Sequence, residues 1–105
     1  ASDVYKRQIL DAAKLGLGLT VFMMIKTGEH SGPWLEKFAK FVKAMPEVQE
    51  FHRMAGEVDY LLKIVVADMQ QFDDFYKNMV EETTLTDVTS SFSMEVIKHT
   101  NALPI

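Results

Sequence analysis

The chain has 105 residues, 48% of them apolar, and a formal net charge of −4. This length predicts one domain with a small core, and the acidic balance gives no electrostatic basis for gripping a phosphate backbone. Because the sequence contains no cysteine, disulfides and thiolate chemistry are excluded. The longest apolar run, residues 21–25, is far shorter than the roughly 20 residues that span a bilayer, and we expect a cytoplasmic protein.

The first predicted elements are a strand and a helix. Residues 19–26 predict the strand, because β-branched, aromatic and aliphatic residues dominate them and glycines stand near both ends. A helix is predicted to follow, with Ser31 or Gly32 as its N-cap, Pro33 in its first turn and Pro46 at its end. Six apolar residues recur along it at helical spacing: Trp34, Leu35, Phe38, Phe41, Val42 and Met45.

A hairpin and a second helix come next. Residues 48–54 and 60–67 predict two strands, joined by a polar turn at 55–59. Asp68, with Gln71 three residues later, resembles a capping box at the start of the second helix. The predicted apolar stripe of that helix consists of Met69, Phe72, Phe75, Tyr76, Met79 and Val80.

Alternating polarity returns over residues 88–97 and predicts a fourth strand. One side of this strand would carry Val88, Ser90, Phe92, Met94 and Val96. The resulting order βαββαβ predicts a ferredoxin-like α+β fold, in which a four-stranded antiparallel sheet carries both helices on one face.

The first and third strands carry apolar residues at both parities, so both faces of the sheet need burial. Away from the helices, the patch left in water would consist of Phe22, Met24, Leu61 and Val65. Burying one large apolar side chain contributes roughly 1.5 to 3 kcal/mol, against a total stability of about 5 to 15 kcal/mol. We therefore expect a homodimer in which two sheets pack face to face, as in a dimeric α+β barrel.

The turn before the third strand is the main candidate for a binding site. Gly56 is able to adopt positive φ, Glu57 and Asp59 supply carboxylates, and Tyr60 supplies an aromatic ring. Backbone amides and an acid suit the two charged groups of an amino acid. A hairpin turn with solvated acids explains the same residues equally well.

The sequence also suggests two other kinds of site, one catalytic and one for a metal ion. His52 shares the hairpin with Glu57 and Asp59, and a carboxylate near an imidazole can perform acid–base catalysis. The simpler interpretation is an outward-facing histidine beside two turn residues. The three histidines His30, His52 and His99 lack metal-ligand spacing. We predict no catalytic residue, no metal site and no cofactor.

Five segments, in their order and spacing, are informative together: LDAAKLGLGLTVF, HSGPWLEKF, PEV, GEVDYLLKIVVADM and SFSMEVIKHTNALPI. They resemble the Lrp/AsnC family, the feast/famine transcription regulators, and specifically their C-terminal effector-binding (RAM) domain. The resemblance runs from about Ile9 to Ile105.

This resemblance implies an amino-acid sensing and oligomerisation domain whose effector pocket lies between dimers. The matching positions for the pocket are Gly56, Glu57, Val58, Asp59, Tyr60, Thr89, Ser90 and Ser91. Val58 stands where the family often has an aromatic residue. This departure weakens the prediction of the type of ligand, although it leaves the predicted location unchanged.

The resemblance also implies the surroundings of the domain. Dimers would build a higher assembly such as an octamer, and DNA would be bound only through a helix-turn-helix domain that these 105 residues do not contain. Residues 1–18 are predicted to be an N-terminal segment that resembles the interdomain linker. Within it, residues 1–8 match nothing recognisable and are possible non-native residues. Residues 19–105 are predicted to be the effector domain. Two alternatives stay open: a small dimeric α+β-barrel enzyme and a stand-alone ligand-binding or dimerisation module.

Overall fold

The computed structural model describes residues 18–27, 31–83 and 87–102. The predicted N-terminal segment, apart from Gly18, and His30 lie outside these ranges. Within them the elements are β1 (Leu19–Lys26), α1 (Gly32–Ala44), β2 (Val48–Arg53), β3 (Tyr60–Val66), α2 (Met69–Glu82) and β4 (Asp87–Phe92). The strands form an antiparallel sheet of order β2-β3-β1-β4. Each helix thus links two parallel strands that are separated by a third, which confirms the predicted ferredoxin-like βαββαβ fold.

Both helices begin at the predicted caps. The Ser31 Oγ accepts a hydrogen bond from the Trp34 N–H at 3.3 Å, and the Asp68 Oδ1 accepts one from the Gln71 N–H at 2.9 Å. The side chain of Gln71 accepts from the N–H of Ala67, one residue before the cap. The bonds to Ser31 and Asp68 satisfy amide groups that the first turn of a helix leaves without partners. Neither helix in the described ranges is long and apolar enough to cross a membrane.

The core lies between the helices and one face of the sheet. It follows the predicted parity of the strands and the predicted face of α1. Its fully buried members include Val21, Met23, Ile25, Leu62, Ile64, Phe38, Val42, Phe75 and Met79. Alternate residues of β1 and β3 therefore point at the helices, as period-2 side-chain alternation requires.

The predicted stripe of α2 is too wide at its edges. Met69 is 56% exposed and Val80 is 46% exposed, whereas Phe75 and Met79 are buried. At 100° per residue, Met69 and Val80 lie about 70° and 90° from the mean direction of the other four stripe residues, on the same flank of the helix. A single sheet beneath the helix covers the centre of the stripe and leaves this flank in water.

The fourth strand is shorter than predicted. It ends at Phe92, whose ring packs edge-on against Phe72 with centroids 5.2 Å apart. One further ladder bond joins the Ser93 N–H to the Thr20 carbonyl at 2.9 Å. Because β4 pairs with β1 and β1 begins at Leu19, the register leaves only Leu19 as a partner beyond this bond, opposite Met94. The predicted strand over residues 93–97 is therefore wrong.

We call the sheet surface away from the helices the open face. Phe22, Met24 and Leu61 lie on it and are only partly buried, as predicted. Val65 also lies on it but is already 1% exposed within the single chain. Its side chain is short and its strand is central, between β1 and the start of β2. Val65 therefore offers little area to a partner, and the other three residues carry the apolar part of the face.

Candidate functional site

The β2–β3 turn is open at its glycine. Gly56 has φ of +132°, a backbone conformation that residues with a side chain rarely adopt. No heavy atom lies within 4 Å of the position that a Cβ would occupy there. The backbone of the turn is thus approachable at Gly56, and glycine is required by conformation rather than by lack of space.

Asp59 connects this turn to the end of β1 by hydrogen bonds. Its Oδ2 accepts a hydrogen bond from the Thr27 N–H at 2.7 Å, and its own N–H donates to the Ile25 carbonyl at 2.9 Å. Its carbonyl accepts from the Met54 N–H at 2.8 Å. One residue therefore links the first strand and both arms of the hairpin. This geometry holds the carboxylate in a fixed place at the end of the sheet, with one oxygen engaged by Thr27.

Tyr60 lies beneath the turn rather than within it. It is 2% exposed. Its ring centroid lies 5.7 Å from that of Phe38, 5.8 Å from that of Phe51 and 5.9 Å from that of Trp34. Such contacts between aromatic rings stabilise the core beyond their buried area. The structure thus makes Tyr60 a support for Asp59, whereas Glu57 is exposed and Val58 partly exposed in the turn itself.

The register of β4 separates its three predicted hydroxyl residues. Thr89 pairs with Met24 and Ser91 pairs with Phe22, so both side chains lie on the open face. Ser90 pairs with the buried Met23 and faces the helices. The structure therefore brings Thr89 and Ser91 together on one face and excludes Ser90 from it. Both lie two strands from β3, about 10 Å by the usual spacing between strands.

His52 does not join the acids of the turn. Its Nε2 lies 2.8 Å from Glu50 Oε1, and the Nζ of Lys63 lies 3.5 Å from Glu50 Oε2. Glu50 pairs with Lys63 across β2 and β3, on the open face. The hydrogen bond from His52 and the charge of Lys63 lower the pKa of Glu50 below its ordinary value of 4.5.

The sequence pattern did not predict the cluster of Glu50, His52 and Lys63, nor the hydrogen bond between Thr27 and Asp59. Opposite charges on facing strands are a usable signal for the Glu50–Lys63 pair, but only once the strand register is known. The hydrogen bond between Thr27 and Asp59 joins residues 32 positions apart, so no local sequence pattern predicts it.

The Glu50 cluster should make a small contribution to acid stability. A carboxylate whose pKa is lowered by folding stabilises the protein above its unfolded-state pKa, and that contribution is lost as the pH falls through the lowered value. Because the Glu50 side chain is 48% exposed, solvent screening limits the contribution to about 0.5 kcal/mol.

We therefore expect Glu50→Gln to reduce the loss of stability between pH 5 and pH 2.5 by about that amount. Urea denaturation at each pH measures it. Glu57→Gln, an identical change at an exposed turn residue, is the control. Identical acid profiles for Glu50→Gln and the unaltered chain would contradict the assignment.

Two further features of the described residues bear on where a site lies. Those residues contain no group of three histidine or acidic side chains placed to hold a metal ion. A surface groove of about 770 Å³ follows α1, on a side of the molecule that contributes no residue of the turn. It is lined by Gly32, Leu35, Glu36, Ala39, Lys40, Lys43 and Ala44. The candidate binding residues therefore lie in two places, the β2–β3 turn and the open face.

Comparison with known families gives a single answer. The family model described as the Lrp/AsnC ligand binding domain matches residues 20–103. The DNA-binding transcriptional activator DecR of Escherichia coli (strain K12) is 54% identical over 101 residues, which cover 95% of this chain and 66% of that protein. The chain therefore spans just under two thirds of the length of this relative.

Solved structures agree with the sequence comparison. A crystal structure of an AsnC family transcriptional regulator from Agrobacterium tumefaciens superposes with a TM-score of 0.78 at 48% identity, covering 90% of this chain and 61% of that one. The complex of transcriptional regulator NMB0573 from Neisseria meningitidis with L-Met gives a TM-score of 0.78 at 33% identity, covering 89% of this chain and 60% of that one. Both are similar to this chain in sequence as well as in fold.

Proposed function

Since the chain belongs to the Lrp/AsnC family of transcription regulators and carries the ligand-binding domain of that family, we propose that it senses a free amino acid or a similar small effector. The observation that carries the proposal is the turn held by Asp59, in which a fixed carboxylate stands beside an open glycine backbone. Together they offer a partner for an ammonium group and amide donors for a carboxylate.

The proposed pocket differs in detail from the set of residues expected from sequence. Gly56, Glu57, Val58 and Asp59 line it, and Tyr60 supports it from the core. Thr89 and Ser91 are the hydroxyl residues of β4 that share a face, and a pocket formed between copies could use them. Ser90 has no such role, because it faces the helices. A free amino acid is the class of ligand we favour, which the methionine complex of the Neisseria relative supports.

Asp59 is the residue whose charge we expect to matter most. If its carboxylate pairs with an α-ammonium group, the charge-assisted hydrogen bond contributes roughly 1.5 to 3 kcal/mol, so Asp59→Ala should weaken binding by about one to two powers of ten. Calorimetry against a panel of free amino acids measures this. Glu57→Ala should cost less, because that side chain is exposed and free to remain in water.

The bond from Thr27 requires a second variant. Asp59→Ala also removes the acceptor of the Thr27 N–H and will loosen the turn. Asp59→Asn keeps an oxygen for that N–H while removing the charge. We expect Asp59→Asn to retain the fold by circular dichroism and still lose at least about tenfold in affinity. Unchanged affinity in a folded Asp59→Asn assembly would place the pocket elsewhere.

We further propose a cytoplasmic homodimer that packs through the open face and associates into a higher assembly such as an octamer. Effector bound between dimers would favour one assembly state and so bias the geometry of attached DNA-binding domains, which is a linkage between two equilibria. DNA would be contacted by a helix-turn-helix domain outside these 105 residues. Light scattering with and without amino acids tests the linkage.

The function we propose is not enzymatic. An enzyme of this fold would favour an apolar cavity with a converging histidine. Here His52 pairs with Glu50 on the open face, and none of the described residues that line the groove along α1 is a histidine. These observations support a sensor in preference to the enzyme alternative.

A further inference from the structure

The chain continues past the sheet in a segment that its own fold does not cover. We call residues 93–102 the arm. After the Ser93 N–H bonds to Thr20, the arm forms no regular element, and its large side chains lie in water. Met94 is 97% exposed, Ile97 is 89% exposed and Val96 is 70% exposed. Single exposed apolar residues are ordinary, but three within four positions indicate an interaction surface.

The open face alone is small for a stable dimer. Four strands about 4.8 Å apart and about six residues long at 3.3 Å per residue give a footprint of roughly 400 Å². A standard interface buries about 800 Å² on each partner. The flat footprint of the face is smaller than that accessible area, and part of it is occupied by the polar side chains of Glu50, His52 and Lys63. Apolar area from another part of the chain would enlarge the interface.

The arm is placed to supply that area. It leaves the sheet from β4, an edge strand beside β1, and β1 carries Phe22 and Met24 of the open face. It carries charges of both signs, Glu95 and Lys98, so it has no single-sign pattern that would select an oppositely charged partner. Its exposed side chains match the open face in being apolar, and a two-fold axis would let each copy offer the other both surfaces at once.

We propose that the arm is a dimerisation element, in which Met94, Val96 and Ile97 of one copy pack against the second copy beside its open face. This inference depends on one part of the proposed function, the homodimer. It does not depend on the binding of an effector. It also gives a role to the apolar residues Met94 and Val96, which the single chain leaves exposed. The second copy would bury the apolar side chains of the arm, which the arm's own chain leaves exposed.

The absence of natural cysteine permits a direct test. Met94→Cys places a unique thiol in the arm of the 105-residue chain. We expect a thiol-specific reagent to modify it at least tenfold more slowly in the dimer than in the monomer. The monomer is obtained by adding Phe22→Asp, or by dilution if that variant still dimerises. Val80→Cys, at an exposed apolar position on α2, should react equally fast in both states.

A second measurement tests energetic importance. Met94→Asp should raise the dimer dissociation constant at least tenfold in sedimentation equilibrium, whereas Val80→Asp should leave it unchanged. A dimer whose Met94→Cys thiol stays fully reactive overturns the proposal and leaves the dimer itself intact. A chain that is monomeric at every concentration overturns both the arm and the proposed homodimer. Protection of the thiol without binding of any amino acid supports the arm and rejects only the effector function.

Discussion

Phe38→Ala is expected to lower the free energy of unfolding by about 3 to 5 kcal/mol, the usual range for removing a fully buried phenylalanine. Phe38 has no exposed surface. Its ring lies 5.1 Å from that of Trp34, 5.5 Å from that of Phe51 and 5.7 Å from that of Tyr60, centroid to centroid. The cavity left behind would open in the middle of these three rings. Against a total stability of about 5 to 15 kcal/mol, the variant would be close to unfolding.

Guanidinium denaturation at one fixed protein concentration measures this loss, because association makes apparent stability depend on concentration. Lys37→Ala, at an exposed position next to Phe38 on α1, is the control and should change stability by less than about 0.5 kcal/mol. Since Tyr60 supports Asp59 from within this cluster, Phe38→Ala should also weaken effector binding. A loss of stability below about 1 kcal/mol would show that the cluster collapses without a cavity.

Phe22→Asp is expected to raise the dissociation constant of the proposed dimer at least about hundredfold, equivalent to about 2.7 kcal/mol. Phe22 lies near the middle of the open face, between Lys63 on β3 and Ser91 on β4. The substitution removes apolar area and places a carboxylate in each half of a two-fold interface, where burial of a charge is costly. Sedimentation equilibrium measures the effect.

The structure indicates that the Phe22→Asp chain will remain folded as a monomer. The new carboxylate would stand opposite Lys63 across the sheet, a favourable cross-strand pair, and the residue does not reach the core. Circular dichroism checks the fold. Val80→Asp makes the same change at an exposed position away from the open face and should leave assembly unaltered. A folded Phe22→Asp chain that dimerises normally would show that copies do not meet through this face.

The sequence by itself determined the elements and their order. The strand parity of β1 and β3, the caps at Ser31 and Asp68 and the end of α1 before Pro46 are all confirmed. These features depend on residues within a few positions of one another, so composition and period express them directly. The same parity predicted that the open face would carry Phe22, Met24 and Leu61.

Only the tertiary structure decided which of the candidate residues meet. Asp59 bonds to Thr27 because β1 and β3 pair in one register, and a shift of that register by one residue would exchange the faces of every side chain. The register of β4 likewise places Thr89 and Ser91 on the open face and Ser90 on the other.

The tertiary structure also decided the burial of Tyr60 and the length of β4. Tyr60 is a core residue because three aromatic rings from α1 and β2 close over it, and none of them is its neighbour in sequence. β4 ends at Phe92, opposite Val21, and only two residues of the partner strand remain beyond that pair, although alternating polarity continues to residue 96. Local sequence specifies what a segment is able to form, whereas the pairing of distant strands decides where it stops and what it touches.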